Sequence, residues 1–530
     1  MEVVVAERVQ VLVVGAGLGG LSASMFLAQA GVDVLAVERH AGTSVHSRAA
    51  GQNWRTMELF HWAGIDREVL AASPRASQGL RITVATSLAG RVLHRLVQDG
   101  SEFDVSAATT LPAGMAGQDV VEPILLAHAE KAGARVAFRT ELTDLAPDDD
   151  GVTATLRHRD TGEETVVRAD YVVAADGGRS GIRQRLGIGT TGMDALSHCL
   201  GVVFDADLGD RVQAGGSDLF YLQHPDFTAG FVNTDRPNRY VFAPDYFPDR
   251  GESPADFTHD RLVAMIRAAT DLPELEPEIV WTGSWEIAAR LADRFRAGRV
   301  FLIGDAAKVT PPTGGMGGNT AVGDAADLAW KLAAVLRGEA GPALLDTYEA
   351  ERKPIARMVI DTSLHNMKQR MHPDLDVSGL TKAEDQLAIL LGFRYRSTAV
   401  RSEEPDDGER VEDVHSPTGR PGFRAPIMAS TVDLLGHSWV LLCAGDRTRW
   451  QPAAADIAAE LGVRLDCHAI DGDAFASRYG LSAGGAALVR PDGIVAWRSP
   501  EPAEDPAGEL GRVLTAVLSR PRRSRAGAPR

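Results

Sequence analysis

Residues Val9–Arg39 read VQVLVVGAGLGGLSASMFLAQAGVDVLAVER: an apolar run, a glycine turn, a helical stretch, and a second apolar run closed by Glu38. Gly15, Gly17 and Gly20 form G-x-G-x-x-G directly after Val11–Val14. In that pattern the first glycine makes the tight turn, the second lets backbone approach a pyrophosphate, and the third lets helix pack on strand. The helix then offers unbonded N–H groups and its positive dipole end to the phosphates. Glu38 stands eighteen residues beyond Gly20, where a carboxylate can hold both ribose hydroxyls. The stretch specifies an adenine dinucleotide, and the Glu38 charge opposes a 2′-phosphate. FAD or NAD remains.

A later stretch decides between them. Residues 299–336, RVFLIGDAAKVTPPTGGMGGNTAVGDAADLAWKLAAVL, bring a strand to Gly304-Asp305, whose carboxylate suits a sugar-alcohol hydroxyl. Pro311 to Asn319, including Pro312, Gly315, Gly317 and Gly318, then form a loop almost without side-chain bulk, feeding a helix predicted over Ala321–Leu336. Amides at such a helix start can lie beside a flat ring and stabilise negative charge on it. Reduced flavin carries that charge at its pyrimidine edge, whereas NAD has neither ribityl chain nor flavin ring. The pattern favours FAD. Between these stretches, YVVAADGGRSGIR (171–183) ends a strand in Asp176-Gly177 and opens a helix with Ser180 and Arg183.

The 530 residues, 44% hydrophobic and 24% charged, allow several domains with substantial cores. A formal charge of −17 argues against a nucleic-acid partner. The three cysteines lack dithiol or ligand spacing, so neither a disulfide framework nor a metal site is expected. With no basic leader and no apolar run of about eighteen residues, a soluble cytoplasmic protein without a membrane partner is expected.

Residues from about 195 to 290 change character, to short alternating segments rich in Tyr, Phe and Trp. They read as an antiparallel sheet walling an apolar cavity, with Tyr221, Tyr246, Trp281 and Trp285 as candidate contacts. Leu80–Val97 reads as a strand pair, and 135–168 as three strands. Beyond the polar segment 401–426, residues 430–518 give strand, helix, strand, helix, a hairpin around Pro491-Asp492-Gly493 and a last helix. That order is thioredoxin-like without C-x-x-C, which leaves a structural or dimer-forming role. The expected architecture is α/β. A Rossmann-like FAD-binding domain takes residues 1–78, 101–190 and 285–398, including a long helix over 341–370. A sheet domain for substrate takes 79–100 and 191–284, a thioredoxin-like domain takes 399–519, and 520–530 form a disordered tail.

Three motifs in order, G-x-G-x-x-G, D-G-x-x-S-x-x-R (176–183) and G-D-A-A…P-x-x-G-G-x-G-x-N (304–319), resemble the group A flavoprotein monooxygenases of the para-hydroxybenzoate hydroxylase fold. GDAAKVTPPTGGM (304–316), LGFRYRSTAV (391–400), GRPGFRAP (419–426) and the thioredoxin-like tail resemble the aromatic polyketide hydroxylases, above all the aklavinone-type 11-hydroxylases of anthracycline aglycones. Lys308 departs from the broad family, in which histidine follows G-D-A-A. The resemblance implies that NADPH reduces FAD and leaves, that O2 then forms a C4a-hydroperoxide, and that an electron-rich ring of a polycyclic aromatic substrate attacks its distal oxygen. Baeyer–Villiger insertion or epoxidation on the same scaffold stays open, as does a non-catalytic FAD-binding module, and the protein is expected as monomer or homodimer. Cofactor contacts are expected from Gly15, Gly17, Leu18, Gly20, Glu38, Arg39, Arg48, Gln118, Asp176, Asp305, Pro312, Gly315, Gly317, Gly318 and Asn319. Tyr221, as hydrogen-bond partner, and Arg370, as the cation for a substrate phenolate, are the expected catalytic pair.

Overall fold

Val11–Val14 and Val34–Val37 are apolar and buried throughout, as parallel strands covered on both faces must be. In the computed structural model, which describes residues 7–45, 50–73, 79–213, 216–234 and 236–520, they pair in parallel from Val11–Val34 to Val14–Val37. The strand Glu164–Ala174 lies on the other side of Glu7–Val14, also parallel, and Val300–Leu302 lies beyond it. The three motif-bearing strands are thus neighbours, and their carboxyl ends bring Gly15, Asp176 and Asp305 to one edge of the sheet. Ligands of open parallel sheets bind at that edge. The helices Leu18–Gln29 and Gly317–Leu336 pack together there so closely that a β-carbon on Gly19 would lie 3.3 Å from Ala321 Cβ.

Two local readings are corrected. Residues 135–168 contribute the strands Arg135–Ala137, Thr140–Pro147, Val152–His158 and the start of Glu164–Ala174, four in place of three. The break falls at Arg139, whose φ of 56° no strand can carry. The helix predicted from Ala321 begins at Gly317, so the last glycines of the loop form its first turn.

The second sheet has eight strands in the order Lys308–Val309, Glu278–Ala292, Thr190–Asp205, Arg239–Tyr246, Phe227–Asn233, Ser217–His224, Leu80–Ala85, Val92–Val97. It is not purely antiparallel, because Ser217–His224 runs parallel to Leu80–Ala85. One face packs on the helix His259–Thr270 through Phe204, Phe220, Phe231 and Phe242. The opposite face meets the long helix Thr347–Arg370.

The third sheet orders Leu465–Ile470, Trp439–Ala444, Ala486–Val489 and Val495–Ser499, parallel in its first pair and antiparallel after it. Its hairpin inserts Arg490 into the first domain, where the guanidinium is wholly buried. There it pairs with Glu351 (2.6 and 2.9 Å), Asp327 (3.1 Å) and its own Asp492 (2.5 Å). Lys331 donates to Asp327 (2.8 Å) and Glu351 (2.6 Å). Arg490 and Lys331 hold Glu351 as the carboxylate despite its burial, while burial raises the Asp327 pKa well above the usual range. Arg520, assigned to the tail by sequence, is instead held by the carbonyls of Gly338 and Glu339 (2.6 Å each). The rest of that tail, 521–530, lies outside the described residues.

Candidate active site

The first glycine turn is built as its pattern requires. Gly15 has φ +103°, and a β-carbon there would lie 2.3 Å from the Ala175 carbonyl oxygen; one on Gly20 would lie 1.8 Å from the Gly15 carbonyl. The protein itself demands both glycines. Gly17 differs, since among the described residues its added carbon would find only Glu122 Oε1 at 3.7 Å. Its missing side chain leaves the backbone open to approach.

Glu38 is anchored to this turn. Its Oε2 accepts from the Ala16 amide (2.8 Å), and its Oε1 accepts from the His40 amide (2.9 Å) and contacts His40 Nδ1 (2.5 Å). Leu18 opens the first helix and Gln118 the helix Gln118–Lys131. Gln118 donates to Glu122 (2.6 Å), whose second oxygen accepts from the Ser44 amide (2.7 Å). Burial raises the Glu122 pKa, and the Glu38 charge adds to the rise. Arg39 is exposed, and Arg48 lies outside the described residues.

Asp176 spends both oxygens inside its own turn, on the Ser180 hydroxyl (2.6 Å) and the Ile182 amide (3.1 Å). Arg183 then bridges to the next motif, donating to the Ala306 carbonyl (2.9 Å). Asp305 sits deep in the molecule with an exposed side chain, as on the floor of a cleft, and the low-dielectric surroundings raise its pKa. Among the described residues, β-carbons on Gly315 and Gly317 would meet nothing within 4 Å, whereas one on Gly318 would lie 3.1 Å from Leu18 Cδ1. The two glycine turns therefore border one cleft. Pro312 shapes the second turn by accepting from the Gly315 amide (3.0 Å).

Asn319 uses its whole amide on the protein. It accepts from the Asn53 amide (2.9 Å) and the Thr56 hydroxyl (2.7 Å), and donates to the carbonyls of Gly51 (3.1 Å) and Gly315 (2.9 Å). It thereby locks the glycine loop to the segment 51–56. Lys308 sends no free charge into the cleft: buried, it pairs with Asp324, which also accepts from the Gly304 amide (3.0 Å) and Arg352 (2.8 Å). Burial lowers the Lys308 pKa against the pull of Asp324. Sequence reasoning missed this Asp324 hub; its one signal was a carboxylate on the apolar side of an amphipathic helix.

The cleft fits FAD. Open backbone stands at Gly17, Gly315 and Gly317, a carboxylate is fixed beside the first turn, and a second exposed carboxylate lies beyond the strand Val300–Leu302.

Tyr221 and Arg370 meet on the sheet face toward the long helix. The Arg370 guanidinium stands 5.7 Å from the Tyr221 ring centroid, and Gln223 Nε2 fixes the helix end by donating to the Arg370 carbonyl (3.0 Å). Arg370 is 8% exposed, and its Nε is buried without a hydrogen-bond partner among the described residues. Beside it, Asp245 accepts from Ser197 and Cys199 (2.9 Å each), and its other oxygen lies 3.5 Å from His372 Nε2. Trp281 and Trp285 belong to this side of the sheet, Tyr246 does not. Its ring packs 6.1 Å from Phe257 in the core beneath the other face, so it is no cavity contact.

The FAD binding domain family matches residues 8–363, and the C-terminal domain of aromatic-ring hydroxylases matches 405–521. The aklavinone 12-hydroxylase RdmE of Streptomyces purpurascens is 48% identical over 97% of this chain and 99% of its own. The tetracenomycin A2 monooxygenase-dioxygenase of Streptomyces glaucescens is 40% identical over 97% of both. An aklavinone-11 hydroxylase solved in a ternary complex with FAD and aklavinone superposes with a TM-score of 0.93 at 47% identity, covering 98% of this chain and 100% of that one.

Proposed function

The chain belongs to the FAD-binding aromatic-ring hydroxylases, and from that we propose that it hydroxylates a polycyclic aromatic polyketide of the anthracycline aglycone type, using O2 and NADPH. The observation that carries the substrate reading is the buried Arg370 cation, with a free Nε, over Tyr221. A buried polar nitrogen left without a hydrogen-bond partner costs about 1–3 kcal/mol, and such costs concentrate at functional sites. A substrate phenolate would complete the pair.

FAD, when bound, supplies the redox and oxygen-transfer chemistry. Gly15–Gly20 and Glu38 would hold its adenosine and pyrophosphate, Asp305 its ribityl chain, and the amides of Gly315–Gly318 its ring. Leu18 and Gln118 would border that cofactor, with Asp176 and Asn319 acting through the turns they fix. Arg370 stabilises the ionised phenol, Tyr221 hydrogen-bonds it, and Val84, Leu219 and Met371 keep water away. Residues 79–100 and 191–284 form the substrate domain in this reading.

Incubation with NADPH and a panel of tetracyclic and angucyclic polyketides, followed by mass spectrometry, tests it. The expected product gains one oxygen with its rings intact, and NADPH oxidation is slow until that substrate is added. A hydrolysable lactone would replace hydroxylation with Baeyer–Villiger chemistry. Glu38→Ala removes a charge-assisted acceptor contributing about 1.5–3 kcal/mol, so FAD affinity is expected to fall by roughly ten- to a hundredfold. Titration of apoprotein with FAD measures that loss, and an unchanged affinity would free Glu38 from its role.

A further inference from the structure

Glycine inside a strand weakens it and calls for a reason. Gly201 and Gly283, paired across neighbouring strands, have one in the protein itself. A β-carbon on Gly201 would lie 2.4 Å from Trp285 Cζ3, and one on Gly283 would lie 2.3 Å from Trp281 Cη2. Both indoles lie over glycine backbone. Gly230, in the strand Phe227–Asn233, has no such reason. It is not among the residues of positive φ, and among the described residues a β-carbon there would meet only Ala243 Cβ at 3.9 Å.

These positions form one row across the sheet. Tyr221 pairs with Gly230 and Gly230 with Ala243. Ala243 and Gly201 meet between the pairs Val202–Phe242 and Cys199–Asp245. Paired residues present their side chains on one face, here the face of Tyr221. The row is therefore a notch floored by Gly230 and Ala243. Tyr221, beneath Arg370, closes one end, and the Trp285 indole over Gly201 closes the other. The ends are three inter-strand steps of about 4.8 Å apart, room for several fused rings. Trp285 is 40% exposed, and an indole left open to solvent beside bare backbone is a surface for a flat aromatic partner.

We infer that this notch seats the ring system of the substrate, and that Gly230 and Trp285 set how many fused rings it admits. The inference rests on the polycyclic-substrate reading above. A plane of fused rings can lie against backbone only where no side chain lifts it away, and an aromatic wall at each end favours an aromatic edge or face.

The test titrates FAD-loaded enzyme with tetracyclic aklavinone and with bicyclic 1-naphthol, following flavin absorbance, for wild type, Gly230→Ala, Gly230→Leu and Trp285→Ala. Gly230→Leu should weaken aklavinone binding about tenfold or more, while 1-naphthol binding stays within about threefold. Gly230→Ala should weaken aklavinone binding by less than Gly230→Leu, and Trp285→Ala should weaken it too. The melting temperature of Gly230→Ala should not fall, since its methyl enters open space. Wild-type affinity for aklavinone in Gly230→Leu would overturn the notch and leave the hydroxylase reading intact. So would equal losses for both ligands, or a lower melting temperature in Gly230→Ala. Wild-type enzyme that binds 1-naphthol but not aklavinone would defeat the polyketide reading and the notch with it.

Discussion

Arg490→Ala is expected to destabilise the whole protein by about 3–5 kcal/mol, the cost of breaking a buried ion pair from one side. From the C-terminal hairpin the guanidinium, with Asp492 beside it, enters a buried set that also holds Asp327, Lys331 and Glu351, and Ser397 adds a hydroxyl bond to Glu351 (2.5 Å). Its removal leaves Glu351 and Asp327 with Lys331 as their remaining cation and strips Asp492 of its guanidinium partner. The effect should reach the cofactor, because Asp327 and Lys331 lie on the helix Gly317–Leu336, whose first turn is the glycine loop. Thermal melts followed by FAD fluorescence should show both earlier unfolding and earlier flavin release. Arg490→Met with Glu351→Gln should recover part of the loss, since removing charges from both sides spares an unpaired one. A single mutant that melts like wild type would show that the Arg490 ion pairs carry no stability.

The nucleotide half of the site was legible because its reasons are local. The turn at Gly15, the anchor from Glu38 to Ala16 and the open loop at Gly315–Gly317 all follow from contiguous residues and known spacings. What escaped depends on pairing between distant segments. Arg490 reads as a hairpin residue beside Pro491, and nothing near it announces a carboxylate 139 residues away. Tyr246 and Tyr221 look alike in sequence, and only strand register turns one into the core and the other toward Arg370, since one step along a strand reverses the face. The parallel pairing of Ser217–His224 with Leu80–Ala85 joins strands with residues 86–216 between them, beyond the reach of alternation patterns. Asn319 and Asp176 were legible as positions but not as roles. Both fall inside motifs, yet their polar atoms hold turns together.

Arg370→Ala is expected to lower kcat by about a hundred- to a thousandfold, the usual cost of deleting a preorganised charge stabiliser, with FAD content unchanged. Its guanidinium lies over Tyr221, so the loss should appear in the substrate step. The pH dependence separates this role from packing. A neighbouring cation favours phenolate and lowers the substrate's phenol pKa in the site. Without Arg370 that pKa returns toward its free value, near 10 for a simple phenol of the tyrosine kind. The defect should therefore be largest at low pH and shrink as pH rises toward about 10. Arg370→Lys, which keeps the charge but not the planar fork, should fall between Ala and wild type. Tyr221→Phe keeps the ring beneath the cation and loses one hydrogen bond, about 0.5–1.5 kcal/mol, so its kcat should fall roughly two- to tenfold with the same pH sign. Rates of substrate-dependent NADPH oxidation across pH, with product measured alongside, decide the matter. A defect in Arg370→Ala that is constant across pH would assign the residue to holding Tyr221 and the helix end, and would remove it from the chemistry.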